Sequence, residues 1–315
     1  MTPLLDVRNL SVEFPTRRGV LTPVDDVSFT VERGEILGFV GESGAGKSMT
    51  GAAIIGLIDP PGRIASGEII FDGTPIGSDA ARLRGKHIGM VFQDPLTSLN
   101  PLKRIGDQIT ETIQAHLPVS ASEANERAKR TLEEVGLDPA RLGSYPHEFS
   151  GGMRQRVVIA LSLAAEPSLI IADEPTTALD VSIQAQVLDL LKRICKERGA
   201  SVILITHDMG VIAETTDRVA VLYAGRIAEI GPTAEVIRNA QHPYSQGLIA
   251  STPTIEGAAL EEDLYQIPGS MPRLDAIPAG CAFNPRCPHT EERCRTARPG
   301  LRAARAACWR VGEEA

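Results

Sequence analysis

The chain has 315 residues, 43% of them hydrophobic, and a formal net charge of −8, which is length for one large domain with additions and apolar content for a sizeable core. The acidic balance argues against a phosphate-hugging nucleic-acid surface, and no run of about 18 apolar residues offers a membrane span. The N-terminus lacks a basic segment leading into apolar residues, so no secretory leader is expected, and five cysteines in a reducing compartment read as thiols or metal ligands.

Residues 5–14 mostly alternate apolar and polar side chains, as a half-exposed strand does, and Val27, Phe29 and Val31 repeat the pattern. After a turn at Arg33-Gly34-Glu35, residues 36–40 are continuously apolar, which predicts a buried central strand. The Gly-rich stretch 41–46 follows. Residues 47–58 read as a helix ended by Asp59-Pro60-Pro61-Gly62. Short strands are expected at 68–71 and 88–92. From 94 to about 149 helical patterns dominate, at 105–116 and 122–135, and read as a helical subdomain inserted into a strand-rich core. The core resumes with a helix from 152 to about 164 and the apolar run 169–172. A long helix is expected over 182–198, with Val187, Leu190, Leu191 and Ile194 on one face, then a buried strand at 201–205. Segments 218–223 and 226–230, joined by Ala224-Gly225, form a hairpin pattern. Alternating strands and helices predict a mainly parallel sheet covered on both faces. Beyond about 241 the chain is Pro-rich and irregular and carries four of the five cysteines.

Gly41-Glu42-Ser43-Gly44-Ala45-Gly46-Lys47-Ser48 matches the phosphate-loop pattern GxxxxGK[ST], between a buried strand and a helix. Glycines let successive N–H groups turn inward on phosphate oxygens, and the helix adds its positive N-terminal end. Lys47 would bridge the β- and γ-phosphates, and Ser48 would bring a hydroxyl to Mg²⁺. The apolar strand 169–172 ends in Asp173-Glu174. Asp173 carries a carboxylate to the sheet edge where Mg²⁺ would sit, and Glu174 beside it can polarise a water. One carboxylate suits metal binding; two adjacent ones suit hydrolysis.

With these residues in order the sequence closely resembles the ABC ATPase family. Gln93 resembles the family's Q-loop glutamine, Ser150-Gly151-Gly152-Met153-Arg154-Gln155 its LSGGQ signature, Thr177-Ala178-Leu179-Asp180 its D-loop and His207 its H-loop histidine. Phe14 stands where the family stacks an aromatic on adenine, and Met49 follows the phosphate loop. Phe149 replaces the usual leucine before Ser150, and Met153 the usual fifth-position glutamine. The resemblance implies an α/β fold, a P-loop NTPase of ABC ATPase type. It would have a mainly parallel sheet core, an N-terminal antiparallel β subdomain and an inserted helical subdomain at about 94–165. An ATPase domain would span 1–240 and an irregular Cys-rich extension 241–315. It also implies head-to-tail pairing of two such domains around two ATPs. Each ATP would touch one chain's phosphate loop, with Gly41, Ser43, Gly44, Ala45, Gly46, Lys47 and Ser48, and the partner's Ser150, Gly151 and Gly152. Ser48, Gln93 and Asp173 would organise Mg²⁺, Glu174 and His207 would serve catalysis with Gln93, and Asp180 would shape the dimer contact.

Residues 92–101, 172–181, His242-Pro243-Tyr244 and the tail around Asn284-Pro285-Arg286-Cys287-Pro288 resemble the dipeptide, oligopeptide and nickel importer branch. That implies two permeases, a second ATPase subunit in a heterodimer, an extracytoplasmic binding protein, no nucleic acid, and a place on the cytoplasmic face of the plasma membrane. Cargo stays open between peptide, nickel and another solute. A soluble ABC ATPase of DNA repair or translation is disfavoured by the short 94–149 insert and the single phosphate loop. Cys281, Cys287, Cys294 and Cys308, spaced C-x₅-C-x₆-C-x₁₃-C, suggest a metal in place of a core. Spacing alone leaves Zn²⁺ and [4Fe–4S] both open. The missing C-x₂-C knuckle favours iron–sulfur, and the resemblance implies the same. His289 is a weaker candidate ligand, and Cys195 reads as a packing residue.

Overall fold

The computed structural model describes residues 2–77, 80–177, 179–252, 265–302 and 305–312. In chain order it contains β1 (Leu5–Thr16), β2 (Gly19–Val31), β3 (Ile36–Val40), α1 (Lys47–Ile54), β4 (Arg63–Phe71), β5 (Thr74–Pro75), α2 (Ala80–Leu83), β6 (Ile88–Val91) and α3 (Pro95–Ser98). Then come α4 (Ile105–His116), α5 (Ala121–Glu134), α6 (Gly151–Leu163), β7 (Leu169–Asp173), α7 (Val181–Arg198) and β8 (Ser201–Ile205). The chain closes with α8 (Met209–Thr215), β9 (Arg218–Tyr223), β10 (Arg226–Pro232), α9 (Thr233–Arg238), α10 (Pro243–Ala250) and α11 (Glu292–Thr296). Two compact units result. The first takes Met1–Glu32, Ile36–Gly77 and Ile205–Ala315; the second takes Arg33–Glu35 and Ser78–Leu204.

In the first unit, an antiparallel sheet runs in the order β2-β1-β4-β5. Val7 pairs with Phe29 and Leu10 with Val27, and all four are buried. The step from Val7 to Leu10 is odd, and strict alternation would turn Leu10 outward. A register shift lies between these pairs, and Asn9 and Asp26 take positive φ there (47° and 59°). Asn9 Nδ2 donates to Asp26 Oδ1 at 2.8 Å, fixing the irregularity that keeps both apolar faces inward. The same unit holds β10-β9-β3, with β9 parallel to β3 and antiparallel to β10. β3 is buried throughout, as its unbroken apolar run predicts. Ala224 and Gly225 both have positive φ, 47° and 83°, the geometry whose twist suits a two-residue hairpin.

The extension, expected to have little apolar content, carries more apolar packing than its Pro-rich sequence suggests. Phe283 is buried against Tyr223 and Tyr244, with ring centroids 5.2 and 5.4 Å away. Ile230 N–H donates to Arg305 O, and Ala307 N–H to Ala228 O, so this last segment runs along β10. Three aromatics and added ladder bonds give the extension an apolar anchor of its own.

In the second unit the strand order is β8-β7-β6, with β6 and β7 parallel and β7 fully buried. Ile105, Ile109 and Ile113 form the buried face of α4, and Ala124, Ala128 and Leu132 that of α5. Small residues on one helix against branched ones on the other let the pair approach closely. Ser120 and Glu123 close a capping box at the start of α5. In α7 the expected face of Val187, Leu190, Leu191 and Ile194 is buried, and Gly199 (φ 66°) ends the helix. Cys195 is buried there with Sγ donating to Gly34 O, a packing role as expected.

The expected elements differ from these in length. The helix expected over 47–58 stops at Ile54, and Gly56 turns with φ 66°. The strands β2 and β4 extend well beyond their apolar cores. The short helices α8, α9 and α10 went unforeseen. Two of them are started by side chains: Asp208 Oδ1 caps α8, and His242 Nδ1 caps α10. Among the described residues no helix is long and apolar enough to cross a membrane.

Candidate nucleotide site

The phosphate loop joins β3 to α1 in the first unit. Gly41 has φ 152°, and a Cβ there would meet Leu222 O at 2.3 Å; Gly46 has φ 100°, and a Cβ would meet Pro23 O at 2.4 Å. Backbone conformation and backbone crowding therefore both require glycine. The hairpin turn braces the loop from one side, since Gly225 N–H donates to Ala45 O at 3.0 Å. The buried Lys47 Nζ donates to Gly41 O at 2.7 Å and Glu42 O at 3.1 Å, which centres its charge over the loop. Ser43, Gly44 and Ser48 are exposed, Ala45 is buried and Met49 is half-buried. The loop thus presents amides, one ammonium and two hydroxyls beside a helix start, a receptor for polyphosphate.

Phe14 lies on β1, half-exposed, with its ring over Gly62, where a Cβ would come within 2.5 Å of it. His207 is exposed at the end of β8, where Thr206 N–H donates to Phe39 O at 3.0 Å.

The carboxylates belong to the second unit. Asp173 is the buried last residue of β7. Glu174 follows with φ 46°, a conformation costing about 1–3 kcal/mol outside glycine and kept where it aims a side chain. Its Oε2 accepts from Gln93 Nε2 at 3.1 Å and from Thr177 Oγ1 at 2.8 Å. The structure therefore brings Gln93 and Glu174 together and adds Thr177, three residues on in the turn that its own N–H closes on Glu174 O at 3.2 Å. Held in one orientation by two donors, the carboxylate can take a hydrogen bond from a water placed against its other oxygen.

Ser150 is the N-cap of α6, its Oγ accepting Met153 N–H at 3.4 Å. Gly151 has open space around it, whereas a Cβ on Gly152 would strike Ile183 Cγ2 at 2.5 Å. One glycine of the pair thus serves packing and the other leaves a helix N-terminus open. Gln155 is turned into the interior, its Nε2 without a hydrogen-bond partner. Asp180 is the exposed N-cap of α7 through its carbonyl, and Ala178 lies outside the described residues.

Cys281, Cys287, Cys294 and Cys308 all line one cavity of the first unit, joined there by His242, His289 and Trp309. All are free thiols. Burial, reinforced by the three other thiols, pushes Cys281 up to about 11, and burial also raises Cys308. Burial holds His242 neutral at about 4. Among the described residues, however, no three His, Cys, Asp or Glu side chains converge to the spacing that holds a metal ion. Four sulfur donors therefore line one apolar cavity without the convergence that holds a metal ion.

Comparison with known proteins agrees with this geometry. Residues 24–177 match the family model for the ABC transporter, and residues 228–294 that for the oligopeptide/dipeptide transporter, C-terminal region. The chain is 51% identical over 290 residues to the oligopeptide transport ATP-binding protein OppD of Bacillus subtilis, covering 90% of this chain and 81% of that one. It is 47% identical over 302 residues to OppD of Salmonella typhimurium, covering 94% and 89%. Among solved structures, cbiO1 of Clostridium perfringens, part of the ABC transporter complex cbiONQ, matches with TM-score 0.67 and 28% identity over 76% of this chain and 92% of that one. The cassette MJ0796 bound to ADP and phosphate matches with TM-score 0.66 and 27% identity, over 73% and 98%. This chain belongs to the ABC transporter family, as an ATP-hydrolysing ATP-binding subunit of the oligopeptide/dipeptide branch. Its α/β fold is that of the ABC ATPase cassettes.

Proposed function

We propose that the chain powers an importer of di- or oligopeptides by binding and hydrolysing ATP at the loop of residues 41–48. The observation that carries the reading is the Glu174 carboxylate, fixed by Gln93 and Thr177 at the end of a buried strand. Lys47 and the loop amides take up charge on the transferring phosphoryl. Glu174 orients and polarises the attacking water, and His207 contacts the γ-phosphate. Phe14 stacks on adenine. Ser48, Asp173 and Gln93 supply the oxygen donors that suit Mg²⁺, which neutralises phosphate charge when bound. Ser150 and the open Gly151 meet the partner subunit's ATP across a head-to-tail dimer, where Asp180 shapes the contact. ATP then joins the two subunits, and hydrolysis releases them.

The same reading assigns the partners: two membrane permeases, a second ATPase subunit in a heterodimer and an extracytoplasmic binding protein, with no nucleic acid. It places the chain on the cytoplasmic face of the plasma membrane. The peptide cargo is supported by the identity to the two OppD proteins over most of their length. We further assign the four C-terminal cysteines to a metal group. Iron–sulfur is preferred to Zn²⁺ because the sequence lacks a C-x₂-C knuckle.

Purification of the tagged chain from its native membranes and reconstitution into vesicles tests the function. ATP-dependent accumulation of peptide with co-purified permeases is expected. Uptake of nickel but not peptide would redirect the cargo, and recovery with nucleic acid instead of permeases would remove the transport role.

A further inference from the structure

Every polar group of Glu42, the second residue of the phosphate loop, is engaged. Its carbonyl accepts from Lys47 Nζ at 3.1 Å and from Ala45 N–H at 3.2 Å. Its N–H donates to Tyr244 Oη at 2.9 Å. Its carboxylate accepts from Arg286 Nη1 at 2.9 Å to Oε1 and 3.1 Å to Oε2. Tyr244 lies on α10, and Arg286 on a 3₁₀ turn between Cys281 and Cys287. Two of these partners, Tyr244 and Arg286, thus come from the C-terminal extension, while Lys47 and Ala45 belong to the loop itself. Met271, also in the extension, brings its Cε to 3.1 Å from where a Cβ on Gly44 would stand.

Arg286 is itself held. Its side chain is 6% exposed against 31% for Glu42. Its Nε donates to Pro268 O at 2.8 Å, and its Nη1 lies 3.4 Å from Tyr223 Oη. The guanidinium stands 5.8 Å from the Phe283 ring centroid and 5.9 Å from that of Tyr223. A buried, pre-ordered guanidinium makes a strong charge-assisted contact because little freedom is left to lose. Glu42 places a negative charge within a loop whose task is to receive a polyphosphate anion. Left unpaired, that carboxylate would repel the ligand and compete for Lys47.

We propose that Arg286 is a positioning residue of the ATP site: by pairing with Glu42 it neutralises the one carboxylate in the phosphate loop and fixes the loop in its nucleotide-receiving form. The C-terminal extension is in this respect a wall of the nucleotide site, and ATP affinity depends on its integrity. The inference rests on the assignment of ATP to the 41–48 loop, which Lys47→Ala tests separately.

The experiment measures ATP KM, kcat and Mg-ATP affinity by calorimetry on the full-length chain, alongside thermal melting. Arg286→Ala is expected to raise KM and Kd for ATP about tenfold with kcat within about twofold. Arg286→Lys recovers part of the loss. Glu42→Ala in the Arg286→Ala background restores affinity to within about threefold of the parent, because the repelling charge is gone. Arg273→Ala, which breaks an exposed ion pair to Asp275 in the same extension, leaves KM unchanged. If Arg286→Ala does not fold, Arg286→Gln carries the same comparison. An unchanged KM in the Arg286 variant, or no rescue by Glu42→Ala, overturns the proposal. Normal ATP binding by Lys47→Ala would instead remove the site assignment beneath it.

Discussion

Gln93 Nε2 donates to Glu174 Oε2 at 3.1 Å across 81 residues of sequence. A glutamine that follows β6 and a carboxylate that follows β7 are thereby one device, because those strands are parallel neighbours whose C-terminal ends coincide. Thr177 completes it at 2.8 Å.

Glu174→Gln keeps the shape of this device and removes its basicity. ATP binding is expected to persist while turnover falls by roughly two to four decades. Single-turnover hydrolysis at near-parent rate would remove Glu174 from the role of base.

Thr177→Val deletes one donor to a charged carboxylate without changing side-chain volume. A loss of about tenfold in kcat, with KM for ATP within about twofold, is expected from one charge-assisted hydrogen bond. A rise in KM with kcat intact would show that Thr177 acts on nucleotide binding instead.

Gly46→Ala forces a Cβ to within 2.4 Å of Pro23 O at φ 100°. Destabilisation of roughly 2–4 kcal/mol is expected in urea unfolding, with weakened ATP binding. Gly151→Ala meets no atom within 4 Å and should leave stability within about 0.5 kcal/mol. Its effect should fall on ATP-dependent dimerisation. Equal melting curves for Gly46→Ala and the parent would contradict the crowding argument.

The cysteine cavity makes a compositional prediction. Anaerobically purified protein should be brown, contain iron and sulfide, and lose colour and thermal stability together on iron removal. Cys281→Ser should lower the iron content. A colourless preparation with one zinc per chain points to the single-ion alternative, and a metal-free preparation of equal stability ends the metal assignment.

The sequence by itself determined the class of protein and marked two candidate segments for its ATP chemistry. The phosphate loop is legible because its work is done by contiguous backbone amides. Gly41, Gly46 and Lys47 must therefore stand at fixed spacing, and the folded loop shows the steric reason for each glycine. Asp173-Glu174 is legible because an unbroken apolar strand must deliver it to a sheet edge. Cys195 could be read as packing from its place on the buried face of a helix. Tertiary structure alone decided who holds these groups. Gln93 on Glu174, and Tyr244 and Arg286 on Glu42, are pairings that span 81, 202 and 244 residues. Such contacts follow no helical or strand period, so nothing in the local pattern announces them. The extension shows the same division. Its cysteine spacing is plain in the sequence, but its anchoring by Phe283 between Tyr223 and Tyr244 follows from burial of surfaces far apart in the chain, which only the folded packing can bring together.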